Sequence, residues 1–457
     1  MDRKKNITIL ASIILFAALL LIAPYIVRFI NGNTAILNHE SSRDIRLIAG
    51  VDSGFIDPLY QSPITINIVY LLPALHPYWY LAINILLGLL SVWLFYLILI
   101  KHNVARKNIW AMLVLLITSP IFIHVFQGVN SYGICIFLTL AAILLLVENK
   151  GVISVVLFAV MPFINFYWAL VSLILLIIYL VYNERTVKGS RYIIIFLILA
   201  MLASYFSNIL LGNAVLGEIS FSAENLITDI GANTGFSFSL VILSIIGLVL
   251  LWERGLKNVL VYTSIIFLVI LSVWVQLLRI YLDFVLVIYA GFALIYLNRR
   301  KWSIQLIKKT TMLLILCSIL FSTLFYITTV SRAEPSPELL DALAFLKQQS
   351  HPGEVVLCPT DLSYHVEYYS SLKTFANPET LLKDPAKEKI AADIAKSRNL
   401  ENTEQLLSTN TIRYILIDET YRKYLEEQDG LLFIMETSNK FSQIYKNQKF
   451  EIWMYTS

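Results

Sequence analysis

Apolar residues run through most of this chain in stretches of about 20, the length a helix needs to cross a bilayer core. Roughly eleven such stretches can be marked. They centre on 7–29, 79–100, 108–126, 131–148, 152–164, 166–182, 191–211, 235–252, 258–276, 279–297 and 310–329. The segments 152–164 and 166–182 are short and interrupted near Pro162 and Asn165. That leaves two full spans or one re-entrant hairpin open there.

From about Ser331 the pattern changes to one typical of a water-soluble fold. Pro337 starts a predicted helix through about Lys347, with Leu339, Leu340, Leu343 and Leu346 at helical spacing. Glu354–Cys358 and Ile412–Asp418 read as buried strands, separated by helices at about 384–396 and 402–408. Leu431–Met435 and Phe450–Tyr455 read as further strands. The expected architecture is a polytopic α-helical membrane domain over 1–330, followed by a small extracytoplasmic α/β domain over 331–457.

Composition agrees with the pattern. Of 457 residues, 58% are hydrophobic and 14% charged, which excludes an ordinary soluble globule. Basic residues set the expected orientation. Arg3, Lys4 and Lys5 precede the first span, so the N-terminus is read as cytoplasmic, and the first segment as a retained span. Counting spans from there puts Lys101, Arg106 and Lys107 on the same side, with Arg185, Lys188, Arg191, Arg254, Lys257 and the basic run 299–309. The loop 212–234 holds Glu218, Glu224 and Asp229 without Lys or Arg and falls outside. The net charge of +4 thus belongs to loops facing anionic lipid, and no nucleic-acid partner is expected. The localisation expected is a cytoplasmic (plasma) membrane, crossed many times, with the C-terminal domain outside. The three cysteines form no disulfide or metal pattern.

The candidate chemistry gathers in the loop 31–64, which carries His39, Glu40, Arg43, Asp44, Arg46, Asp52 and Asp57. Charge next to a membrane is wet, paired or functional. In a helix Glu40 and Asp44 would share a face and hold one metal or one proton between them. Mutual ion pairing on a solvated surface explains the same spacing. Arg279, at the end of the span 279–297, is a second candidate, with Asp283 four residues on as its neutralising partner in the alternative reading.

The run His39-Glu40-Ser41-Ser42-Arg43-Asp44-Ile45-Arg46, continued by Asp57-Pro58-Leu59-Tyr60, resembles the first external loop of GT-C membrane glycosyltransferases. It is most similar to the oligosaccharyltransferase catalytic subunit of archaeal and bacterial type. The resemblance extends to Gly128-Val129-Asn130-Ser131-Tyr132, where that family carries a second acidic pair, and to Ser222-Ala223-Glu224-Asn225. The segment Val356 to Tyr364 is similar to the one holding the family's WWDYG motif, of which Asp361 alone remains. Pro359 and Thr360 replace the tryptophans, and Asn130 and Tyr132 the acidic pair.

The resemblance implies an enzyme moving a sugar or glycan from a polyprenyl (pyro)phosphate carrier to a protein, lipid or glycan acceptor on the outer face. It implies Glu40 and Asp44 as catalytic residues, and Arg46, Arg279, Asn130 and Asp361 as substrate-binding ones. Glu40 and Glu224 would be ligands of a Mg2+ or Mn2+ ion. Two alternatives remain: a non-catalytic lipid-glycan binding or assembly protein of the same fold, and a transporter or flippase for such lipids.

Overall fold

The computed structural model describes residues 2–34, 42, 77–128, 132–164, 169–174, 176, 195–196, 198–203, 205–206, 227–230, 235–252, 256–273, 276–351, 353–428 and 430–456. Contacts divide the chain into two units, one of 1–27 with 57–331 and one of 28–56 with 332–457.

The first unit is helical. Its helices are α1 (Asp2–Ile30), α2 (Pro77–Lys101), α3 (Arg106–Ile117), α4 (Pro120–Gln127), α5 (Tyr132–Val147) and α6 (Gly151–Ile164). After these come α7 (Phe238–Leu250), α8 (Leu256–Leu271), α9 (Gln276–Arg299) and α10 (Gln305–Arg332). Among the described residues four helices are long and apolar enough to cross a membrane. Taken together, α3 and α4 are as apolar, but they bend by 60° at their junction, the geometry of a broken span or of a re-entrant loop. The helices α5, α6 and α7 are apolar but shorter. Expected spans at 166–182 and 191–211 fall largely outside the described residues. Pro162 does not end its helix, which continues to Ile164.

Helix α9 is the centre of the unit, packed against α7 and α3. Its Val287, Ala290 and Ala293 are fully buried. Two glycines permit that closeness. A Cβ on Gly247 would stand 2.0 Å from the Tyr289 carbonyl oxygen, and one on Gly291 would stand 2.4 Å from Met112. Small residues of this kind let membrane helices approach where no hydrophobic effect drives them together. Leu15, Leu19, Val249, Leu306 and Leu314 are exposed on the outside of the unit, as a hydrocarbon surround requires.

The second unit is built on a five-stranded sheet in the order β2-β1-β3-β5-β4. The strands are β1 (Val355–Leu357), β2 (Lys373–Thr374), β3 (Ile412–Asp418), β4 (Phe441–Lys446) and β5 (Phe450–Tyr455). β2, β1 and β3 run parallel, whereas β5 and β4 join as an antiparallel extension. Alternation along β3 feeds two cores: Ile415 and Ile417 pack on one face, Tyr414 and Leu416 on the other. The helices are α11 (Pro337–Gln349), α12 (Ser363–Ser370), α13 (Pro378–Lys383), α14 (Ala386–Lys396), α15 (Leu400–Thr409), α16 (Glu419–Gln428) and α17 (Leu431–Thr437).

One predicted strand is a helix. Leu431, Leu432, Ile434 and Met435 are buried while Phe433 is 61% exposed, a helical face and not strand alternation. A short unbroken apolar run carries no period by which to tell the two apart.

Candidate active site

In the second unit the polar network starts from Arg28, near the end of α1. Its side chain is fully buried. Nε donates to the Thr34 carbonyl at 2.7 Å, Nη1 to that of Ala333 at 2.6 Å and Nη2 to that of Pro335 at 2.8 Å. Three charge-assisted bonds to backbone bind the chain after α1 to the chain before α11. Further along, the Ser42 hydroxyl and the His365 Nδ1 lie 2.8 Å apart, both side chains buried. His365 stands in the first turns of α12, which follows directly on the 3-10 turn Thr360–Leu362 that holds Asp361. Asp361 is exposed.

The underside of α12 is fixed by a second carboxylate. Glu367 accepts from the Thr374 hydroxyl at 2.6 Å and from Asn377 Nδ2 at 2.9 Å. Both donors come from the stretch just after α12, so the helix and the loop beyond it form one piece. Cys358 lies in the same core, and burial, reinforced by the nearby Glu367 and Asp418 charges, pushes its thiol far up.

In the first unit the polar groups gather at the junction of α3 and α4. Ser119, with Pro120 after it, breaks the helix. Its hydroxyl donates to Asp283 Oδ1 at 2.8 Å, and the Thr323 hydroxyl donates to the freed Thr118 carbonyl at 2.7 Å. Asp283 is fully buried and its Oδ2 has no hydrogen-bond partner. At the far end of α4, Asn84 Nδ2 donates to the carbonyls of Val125 and Gly128. A Cβ on Gly133 would stand 2.4 Å from Asn84 Oδ1. The turn around Gly128 is therefore held by a buried amide at one side and a required glycine at the other. His124 Nδ1 lies 3.1 Å from the Tyr326 hydroxyl, a hydrogen-bonded core histidine.

Arg279 is buried and donates through Nε to the Ser272 carbonyl at 2.8 Å and through Nη2 to that of Val273 at 3.3 Å. These carbonyls follow the C-terminal end of α8, where helical acceptors are left over. No hydrogen bond from Arg279 satisfies Asp283, whose bonded oxygen faces Ser119. Asp229 accepts from the Phe238 amide at 2.6 Å and from the Ser322 hydroxyl, tying the start of α7 to α10.

Of the predicted site residues, Arg279 lies in the first unit and Asp361 in the second. Glu40, Asp44, Arg46, Asn130 and Glu224, with His39 and Asp52, lie outside the described residues. Among the described residues no three of His, Cys, Asp and Glu gather as a divalent cation requires. Sequence reasoning passed over Arg28 and Ser42. Arg28 had a visible signal, an arginine in the last turn of an otherwise apolar helix. A lone serine such as Ser42 has none.

No family model matches the sequence, and no curated protein matches it. Solved structures do. The oligosaccharyltransferase of Archaeoglobus fulgidus in its apo form aligns over 90% of this chain and 69% of its own, with a TM-score of 0.58 and 13% identity. The same organism's oligosaccharyltransferase AglB, solved with an inhibitory peptide and a dolichol-phosphate, aligns over 96% of this chain and 74% of its own, also at 0.58 and 13%. A mycobacterial arabinofuranosyltransferase, AftD, aligns over 98% of this chain and 41% of its own, at 0.56 and 14%. An A. fulgidus structure with zinc and sulfate and one tethered to an acceptor peptide align similarly. The chain thus shares its fold with these oligosaccharyltransferase and arabinofuranosyltransferase structures.

Proposed function

We propose that this protein is a membrane glycosyltransferase that takes a sugar or glycan from a polyprenyl (pyro)phosphate carrier and passes it to an acceptor on the outer face of the membrane. In this reading residues 1–330 form the multi-span membrane domain and 331–457 the external α/β domain. The observation that carries it is the fold shared with an oligosaccharyltransferase and an arabinofuranosyltransferase along nearly the whole chain. The Ser42–His365 contact supports it, because Glu40 and Asp44 flank Ser42 in the sequence and Asp361 lies one turn before His365.

Glycosyl transfer from a lipid phosphate needs a carboxylate that takes or polarises the acceptor's proton, and positive charge at the leaving phosphate. Glu40 is assigned as the base or metal ligand, with Asp44 beside it and Glu224 as a second ligand. Arg279 is the positive group assigned to the donor phosphate, held in position by the carbonyls of Ser272 and Val273. Arg46, Asn130 and Asp361 are assigned to substrate contacts. Two A. fulgidus structures, one with a dolichol-phosphate and one with an acceptor peptide, support a lipid-borne donor and leave the acceptor class open between protein, lipid and glycan.

The test is donor turnover by purified protein in nanodiscs, with a radiolabelled polyprenyl-phosphate hexose and release of polyprenyl phosphate as the readout. Wild-type turnover abolished by Glu40→Gln supports the reading. A specific observation favours a second one: Pro359 and Thr360 stand where the WWDYG-like segment would carry tryptophans, and Asn130 and Tyr132 where acids would. A non-catalytic relative predicts tight donor binding without turnover in any metal.

A further inference from the structure

A cavity of about 520 Å³ runs between α2, α5, α6, α8 and α9. Its walls are apolar, with Phe95, Leu99, Ile143, Phe158, Leu268 and Phe284 among them. Along α9 it extends from Tyr281 to Tyr289, about 12 Å at the helical rise. At one end the hydroxyls of Thr139, Ser172 and Tyr281 satisfy one another, Ser172 and Tyr281 at 2.5 Å and Thr139 and Tyr281 at 3.1 Å. That end therefore asks for no polar ligand. At the other end His102 and Val104 line the cavity. They belong to the turn between α2 and α3, whose Lys101, Arg106 and Lys107 are exposed. Lys101 pairs with Glu148 at 3.3 Å, leaving Arg106 and Lys107 as the net cationic part of that rim.

We propose that this cavity holds one acyl chain of an anionic bilayer phospholipid, whose headgroup rests on the Arg106–Lys107 side of the turn. Volume selects the occupant. At about 30 Å³ per water-sized group, the space takes on the order of 15–20 carbons, a single fatty acyl chain and not a whole polyprenol. Charge selects the headgroup, since exposed lysine and arginine beside a membrane attract anionic lipid. The site does not rest on the glycosyl-transfer reading. The lipid's chain would end against Tyr281, two residues from Arg279, and so brace the start of α9.

The experiment uses the full chain in nanodiscs containing phosphatidylglycerol with a diazirine at the end of one acyl chain. After irradiation, adducts are mapped by peptide mass spectrometry. Adducts on Thr139, Tyr281 or Phe284, at the end of the cavity where the chain would stop, are expected. Labelling confined to outward residues such as Trp93 and Leu314 would overturn the proposal. In detergent, native mass spectrometry of the wild type is expected to show one retained phosphatidylglycerol. The double variant Arg106→Glu, Lys107→Glu should retain it at least tenfold less. Equal retention, or a retained polyprenyl phosphate in its place, would equally overturn it.

Discussion

The hydroxyl of Ser42 meets the imidazole of His365 at 2.8 Å, across 323 residues of sequence and out of contact with solvent. One partner comes from the charged loop that follows the first helix. The other comes from the segment that carries Asp361. A buried hydrogen bond between two short side chains ties the two backbones together, because breaking it leaves a buried polar atom on each side short of that bond.

Ser42→Ala removes one partner and leaves a buried ring nitrogen. Stability of the second unit should fall by about 1–3 kcal/mol. Adding His365→Phe should cost less than the sum of the two single changes. Thermal unfolding of the three variants measures the coupling, and strict additivity would show that the contact contributes nothing.

Arg28 makes the larger prediction. Arg28→Met strips three backbone carbonyls of their donor, and about 3 kcal/mol or more of stability should be lost. Arg28→Lys should restore little of it, because an ammonium cannot reach the three carbonyls with the fixed fork of a guanidinium. Hydrogen exchange at Ala333 and along α11 reads the effect directly, with faster exchange in both variants as the expected result.

Helix packing in the first unit depends on Gly247. Gly247→Leu should separate α7 from α9 and lower thermal stability by about 1–3 kcal/mol or prevent folding. The milder Gly247→Ala keeps the prediction measurable, with a fall in melting temperature expected.

Glu451 gives the second unit a pH dependence. Burial would raise its carboxyl, but bonds from Lys446 and Trp453 and the charge of Arg422 outweigh that and hold it below the ordinary 4.5. A carboxyl depressed in the folded state adds stability that is present above about 4.5 and lost as the pH falls through its folded value. Glu451→Gln should therefore be less stable near pH 7, by about 2 kcal/mol, and show a flatter decline below pH 4.5. Hydrogen exchange along β5 at several pH values checks both parts.

Helices were legible because hydrophobic runs are long and the membrane constrains them to few solutions. Most span boundaries at α1, α2 and α9 fall within two or three residues of the expected ones. The bend at Ser119 and Pro120 was less legible, since a proline can start a helix or kink one. In the second unit the unbroken burial of β3 was readable from its apolar run, while Leu431–Met435 was not, for lack of a period to tell strand from helix. The i, i+4 spacing of Arg279 and Asp283 leaves two readings open, mutual neutralisation and a free phosphate-binding charge. The structure gives the two different partners on that shared face: Asp283 takes the Ser119 hydroxyl, and Arg279 takes the carbonyls of Ser272 and Val273. Contacts such as Ser42 with His365 depend on tertiary folding alone, and no local pattern announces them.

The proposed sugar transfer by the charged segment around Glu40 is open to a direct measurement. The direct measurement is turnover of a radiolabelled polyprenyl-phosphate hexose by the full chain in nanodiscs, wild type against Glu40→Gln. Wild-type release of polyprenyl phosphate is expected, with a fall of about 10²-fold or more in the variant, the range for loss of a catalytic base. Equal turnover by the two proteins would contradict it.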